Sequence, residues 1–440
     1  MNAVTVRNRF LLLGFFCLSL SLILGLAASL QYFYPRLLSD RFSFQKTRPL
    51  HVFLAINWIF ACVSGLIYNC IGNLSGKGLF STELAKLHFA LHLATVITAA
   101  TGFCMGKFSG REYLEFPVWL TAVIIFYWLL FIINFVATMR PKLSTSPVYI
   151  WSWSTGLLFF LITFLEAHLW LLPYFNNNVV RDLTVQWKAN GSMVGAWNML
   201  IYGTSMYTME QITGDKKIAY QRESFAFYFL SLTNLMFNWG HHTYVVPANP
   251  IIRQVAFGVS MSELVLLWHI IYTWKKNYEK SIPDVPYPLA YRFFKTADLW
   301  VFLNLALALA ISVPYLNQYT HGTQITVAHA MGATIGINTI LLLASAMYVV
   351  ERKIGERAAR SITWARELMS GSLLVFWLAL ITMGIIRGVG IRENAAFLDI
   401  AFRTRAFQAL FSIAGTGLVV STGLTVYHYT RAILRDDAEI

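Results

Sequence analysis

Charge is scarce in this chain. Asp, Glu, Lys and Arg make up 12% of its 440 residues against 57% hydrophobic ones, a balance that excludes an ordinary soluble protein. Cysteine is sparser still. Cys17, Cys62, Cys70 and Cys104 all lie in or beside apolar runs, with no CxxC spacing, so neither a disulfide framework nor a thiolate metal site is expected and the four are assigned to packing. No connection between the apolar runs has the composition of a separate soluble domain. The first run lacks a small-residue cleavage site and follows Arg7 and Arg9, which points to a retained helix in place of a signal peptide. The formal charge of +13 calls for no nucleic acid, because Lys and Arg at the inner face of a membrane protein supply it.

What the chain has in abundance is apolar runs of roughly 20 residues, each long enough to cross a bilayer. About twelve are expected, at residues 10–31, 51–70, 87–106, 118–139, 151–172, 190–210, 224–243, 251–274, 294–315, 325–349, 371–390 and 406–430. The predicted fold class is all-α integral membrane, one polytopic domain over residues 1–440. With the N-terminus inside, the inner segments hold roughly 21 Lys and Arg and the outer ones roughly 13, which favours both termini inside.

The polar residues of these spans collect at one level. His51 opens one span, Asn190 another, and His321, His329 and Met331 stand in or just before the first turns of a third, while His241 and His242 close a span running the other way. With alternating directions they converge on the outer leaflet, periplasmic in a bacterium. Ligating side chains are costly in lipid and mark a functional site by default, here a buried redox site. His329 and Met331, two residues apart, point about 200° apart on a helix, so they cannot serve one metal but can serve two cofactors flanking it. Both are ordinary axial ligands of haem iron. Adjacent imidazoles at 241 and 242 diverge by about 100° on a regular helix, so shared ligation needs a metal between the two directions or an opened backbone. Glu263, well inside the next span, needs a metal, a proton or a cation as partner. His88 and His92, spaced i, i+4 at the inner end of the third span, are assigned to hydrogen bonding or an interface. Glu166 and His168 near the outer end of the fifth are assigned to a helix contact, with Glu166 also a candidate active-site carboxylate.

The stretches Gly240-His241-His242, Ser262-Glu263-Leu264, His321-Gly322-Thr323-Gln324 and Ala328-His329-Ala330, in this order on these spans, resemble the catalytic subunit of the haem-copper oxidase superfamily. Gly110-Arg111-Glu112-Tyr113-Leu114-Glu115-Phe116-Pro117 is similar, almost word for word, to a loop of its nitric oxide reductase branch, and Arg48-Pro49-Leu50-His51 resembles the entry to that branch's second helix. The resemblance covers nearly the whole chain. It implies the haem-copper oxidase subunit I fold, with His329 as proximal ligand of a high-spin haem and His51 as a ligand of a low-spin one, both haems b-type. His241 and His242 become ligands of non-haem iron, Glu263 the carboxylate beside it, Arg111 a partner of haem propionates, and Glu112 a residue of a calcium site.

Three positions depart from the family pattern. Met331 stands where a second low-spin haem ligand, a His, is expected. Asn190 takes the place of the third His on the active-site metal, as in a minority type of these reductases. Val194 and Asn198 replace glutamates. Two His, a carboxylate and an amide oxygen suit Fe(II) with open positions better than copper. The implied activity is reduction of two nitric oxide molecules to nitrous oxide and water, with Glu263, His241 and His242 catalytic. Proton uptake is expected from the outer side, in a bacterial cytoplasmic membrane, with lipid and a smaller electron-donating subunit carrying haem c or copper as partners. An oxygen reductase with copper, and a non-catalytic electron-transfer or sensor subunit, are the alternatives.

Overall fold

A computed structural model describes residues 3–140, 145–278 and 285–438, without the side chains of 263–268, 270–271, 273–278 and 436–438. Every regular element among the described residues is helical. A helix satisfies its own backbone N–H and C=O groups, the condition lipid imposes on any segment that is not part of a closed barrel. The chain divides into two compact units, each assembled from non-consecutive segments.

The first unit comprises Met1–Pro141, Leu342–Leu380 and Arg403–Ile440. It holds α1 (Ala3–Leu30), α2 (Phe44–Ser75), α3 (Thr82–Cys104) and α4 (Leu120–Met139). Ser81 starts α3 by accepting the Leu84 N–H at 3.2 Å, with Glu83 in the first turn, and both suit the positive end of a helix. Phe15 stacks on Trp58 and meets Tyr429 edge-on, in a core where all three are buried. Helices in lipid associate through such close packing and not through exclusion of water.

The second unit comprises Lys142–Leu341 and Ile381–Phe402. It holds α5 (Val148–Glu166), α6 (Pro173–Asn176), α7 (Val179–Thr213), α8 (Arg222–Phe237), α9 (Pro250–Tyr278), α10 (Pro288–Ser312), α11 (Pro314–Thr320) and α12 (Gln324–Met331). Four of these begin on proline, whose missing N–H is harmless in a first turn. Two departures from regular helix matter for function. After α8 the chain tightens into a 3-10 stretch, Asn238–Thr243. After α12 it widens into a π-helical segment, Gly332–Thr339, before α13 (Ile340–Val350), α14 (Glu356–Arg392) and α15 (Phe397–Ala438).

Among the described residues nine helices are long and apolar enough to cross a membrane, and they coincide with nine of the twelve expected spans. The other three expectations fall on α7, α8 and α9, all in the second unit. There α8 has only 16 residues, and α7 carries Asp182, Lys188 and Glu210 along its length.

Candidate active site

The 3-10 stretch brings His241 and His242 together. Their ring centroids lie 4.2 Å apart with planes tilted by 37°, so the 3-10 backbone sets the two neighbouring rings side by side. His241 Nδ1 is 3.0 Å from Asn238 Oδ1. An amide oxygen only accepts, so Nδ1 carries the proton and Nε2 keeps its lone pair. Ser260 of α9 donates to the same Oδ1 at 2.5 Å. Trp187 of α7 lies flat on the His242 ring at 5.1 Å and 8°. One turn along α7, Gly191 lets the 3-10 stretch come close, since a Cβ there would stand 2.8 Å from Trp239 Cβ. Asn190, beside it, has its amide nitrogen buried with no protein partner. Two imidazoles side by side, one with its lone pair fixed at Nε2, suit a divalent metal, whose cis nitrogen ligands at ~2.0–2.1 Å need neighbouring rings.

His329 joins this cluster. His241 lies within electrostatic range of His242, His329 and His321, and His242 within range of His329 and His321. The proximal candidate is held by its backbone. With its amide turned to satisfy both neighbours, Asn304 of α10 donates to the His329 carbonyl at 3.0 Å and accepts the Ala333 N–H at 3.2 Å. Residues 329 and 333 are the i, i+4 pair that would bond each other in an α-helix, so a buried side-chain amide bridges the ladder where α12 passes into the π segment. Such π segments occur often at functional sites. The His329 ring bonds the backbone of Asn304, so the residue that bridges the ladder also orients the imidazole. Met331 closes α12 and is half-buried. His321, just before α12, is pushed below its usual pKa by burial and is neutral at pH 7.

In the first unit His51 lies two turns inside α2, because the helix starts at Phe44. Its Nδ1 stands 2.7 Å from the Ser21 carbonyl, which again fixes the proton on Nδ1 and leaves the lone pair on Nε2, the tautomer a metal-bound His adopts. Ser21 Oγ donates to the His51 carbonyl at 3.0 Å. Gly25 completes the seat, since a Cβ there would sit 2.7 Å from His51 Cε1. Arg48, one turn earlier, grips Glu112 at 2.5 Å and Glu115 at 3.0 Å. The loop bearing Arg111 folds on itself through Ser109, which donates its N–H to the Glu115 carbonyl and its Oγ to the Leu114 carbonyl. Burial raises the Glu115 carboxyl above its ordinary range, against the opposing pull of Arg48.

The structure therefore brings together His241, His242, His329 and His321 in the second unit, and His51 sits in a prepared seat in the first. Among the described residues no three His, Cys, Asp or Glu side chains gather closely enough to hold a metal. Glu263 is on α9, but its side chain lies outside the described residues. Glu166 is engaged by Lys188 of α7, and His168 Nδ1, just beyond α5, bonds the Phe164 carbonyl in that helix's last turn. Asn198 accepts from Asn338 of the π segment at 3.0 Å. Sequence reasoning missed Asn304, Asn238, Trp187, Ser21 and Gly25. Asn238 alone left a local signal, three residues before His241.

A family model described as "Cytochrome C and Quinol oxidase polypeptide I" matches residues 5–422. Among curated proteins, a nitric oxide reductase subunit of Stutzerimonas stutzeri is 24% identical over 445 aligned positions, covering 93% of this chain and 90% of that one. A cytochrome c oxidase subunit 1 homolog of Agrobacterium tumefaciens (strain T37) is 22% identical over 395 positions, covering 83% and 68%. Among solved structures, a haem-copper terminal oxidase dimer determined by cryo-EM superposes with a TM-score of 0.74 at 12% identity, covering 98% of this chain and 84% of that one.

Proposed function

The chain belongs to the cytochrome c and quinol oxidase polypeptide I family, and from that membership we propose that it is the catalytic subunit of a nitric oxide reductase. Members of the family are multi-pass membrane oxidoreductases that bind haems and a second metal and work with other subunits. The reductase relative is matched along nearly all of both chains, whereas the oxidase homologue leaves about a third of its own length unmatched. The observation that carries the choice of metal is the pair His241 and His242 with Asn190 in place of a third imidazole, a harder donor set than copper prefers.

When bound, two b-type haems and a non-haem iron would supply the electrons and iron centres for the reaction in which 2 NO, two electrons and two protons give nitrous oxide and water. His241 Nε2, His242, Asn190 and Glu263 would hold the iron, His329 the high-spin haem, and His51 with Met331 the low-spin haem. Asn238 and Trp187 fix the two iron-binding rings before any ligand arrives, which keeps reorganisation small. Arg111 would bond haem propionates, and Glu112, held by Arg48, would serve a calcium site. Glu263 holds or passes a proton at its carboxylate. A smaller partner with haem c or copper delivers the electrons, in a bacterial cytoplasmic membrane with the metal sites toward the periplasm.

The test is the purified, reduced enzyme supplied with NO. Nitrous oxide should form at one molecule per two NO, and Glu263→Gln should slow turnover without removing either haem. Oxygen turnover far above NO turnover in an iron-replete preparation would establish the oxidase instead. Two haems with no second metal and no turnover would establish an electron-transfer or sensor subunit.

A further inference from the structure

The first unit contains a second pair of imidazoles, which the proposed reaction does not use. His88 and His92, one turn apart on α3, are 0% and 1% exposed. Their rings are parallel within 12° at 6.1 Å. Tyr127 of α4 is stacked on both, at 5.3 and 5.2 Å, and the Phe10 ring of α1 lies 4.9 Å from His88. Two polar rings inside an aromatic box need a reason, because a buried imidazole without hydrogen bonds is costly.

The bonds around the pair fix where each proton sits. Asn57 Nδ2 donates to the Phe53 carbonyl at 2.8 Å, so its Oδ1 is the atom facing His92 Nε2 at 2.9 Å. The amide oxygen can only accept. His92 therefore carries its proton on Nε2 and a lone pair on Nδ1. At the other end, Asn134 is locked by Ser81, donating to its carbonyl at 2.7 Å and accepting its N–H at 3.2 Å. The amide also bonds the Tyr68 phenol, to which it can give its second N–H, the one that Ser81 does not use. The phenol then donates its own proton to His88 Nδ1 at 3.0 Å, which puts the His88 proton on Nε2.

One ring thus presents an N–H donor and the other a lone-pair acceptor. Both atoms, His88 Nε2 and His92 Nδ1, are buried without a protein partner, and so is Ser64 Oγ. Ser64 belongs to the same stripe of α2 as Asn57 and Tyr68, since positions 7 and 11 residues from Asn57 return to within roughly 20° of its direction. Three unsatisfied polar atoms, a donor, an acceptor and a hydroxyl, on two facing helices match what a buried water requires.

We propose that Ser64 Oγ, His88 Nε2 and His92 Nδ1 form a binding site for one buried water molecule, which accepts from His88, donates to His92 and bonds Ser64. The water completes a hydrogen-bond chain from Asn134 through Tyr68, His88 and His92 to Asn57, with every donor pointing the same way. A metal ion does not suit the site, because only one of the two imidazoles offers a lone pair. Amides cap both ends, and amides do not relay protons, so the chain fastens α2 to α3 and α4 and is not a path across the membrane. This inference does not depend on the reaction proposed above.

Cryo-EM of the full-length protein in lipid nanodiscs, at a resolution that shows ordered waters, tests it together with metal analysis of the same preparation. The expected result is one density within hydrogen-bond distance of all three atoms, retained but displaced in Ser64→Ala and absent in His92→Phe, with metal content equal in all three proteins. Ser64→Ala removes one hydroxyl from a helix interior and keeps the fold, so it carries the test if His92→Phe does not accumulate. A direct His88–His92 bond with no density between them, or one equivalent of metal lost in either variant, overturns the proposal.

Discussion

Replacing Gly25 by Ala isolates the seat of His51. A Cβ at this position would stand 2.7 Å from His51 Cε1 and 2.9 Å from Nδ1, so the ring would have to withdraw by roughly 0.7 Å or more to regain ordinary van der Waals contact. It cannot do so freely, because its Nδ1 is bonded to the Ser21 carbonyl at 2.7 Å. Two energies oppose each other. Alanine is favoured over glycine in a helix interior by about 0.8–1.0 kcal/mol, while overpacking a filled site costs about 1–3 kcal/mol. The net loss is at most about 2 kcal/mol, which leaves the chain folded. Ligation suffers more, since metal–ligand distances are held to about ±0.2 Å. The expected outcome is loss of the low-spin absorption bands and a fall from two haems per chain toward one, with the high-spin haem on His329 retained. The assay is a haemochrome stoichiometry with optical spectra of the reduced enzyme. Gly423→Ala on α15, where nothing lies within 4 Å of the new Cβ, is the matched control and should keep both haems. A full low-spin spectrum in Gly25→Ala would refute the assignment of His51 as a haem ligand seated against α1.

Asn238→Leu should weaken iron binding by about 10–100-fold, read as iron stoichiometry against chelator concentration with haem content unchanged; equal affinity would show that Asn238 does not orient His241. His241→Ala or His242→Ala should remove the iron while both haems stay, and joint loss of all three would indicate misfolding and not ligation. Thioether ligation raises a haem potential relative to bis-imidazole ligation, so Met331→His should lower the low-spin midpoint in a redox titration, and an unchanged spectrum in Met331→Leu would assign the ligand elsewhere. Burial raises the folded-state pKa of Glu115 above its ordinary 4.5, so the folded protein binds this proton more tightly than the unfolded chain. Its contribution to stability is therefore greatest below pH 4.5 and declines as pH rises through the raised value. Thermal unfolding of Glu115→Gln should lack that decline, and parallel pH profiles for both proteins would contradict the buried setting of the carboxyl.

The spans were legible in the sequence because lipid leaves the backbone few choices. An apolar run of the right length becomes a helix whatever its neighbours are, and nine of the twelve expected spans coincide with membrane-length apolar helices. The candidate ligands were conspicuous for the same reason, since His51, His241, His242 and His329 stand out in apolar surroundings. Their chemistry was not. Which ring nitrogen of His51 and His241 carries the proton is set by Ser21, 30 residues away on α1, and by the Asn238 side chain. The ladder at His329 is bridged by Asn304 from another helix. No periodicity announces the change to 3-10 geometry at Asn238–Thr243 or to π geometry at Gly332–Thr339. Backbone hydrogen bonding within one helix is local and can be read along the chain, whereas the proton on an imidazole, the space beside Gly25 and the aromatic box around His88 and His92 depend on atoms that only helix packing brings within reach.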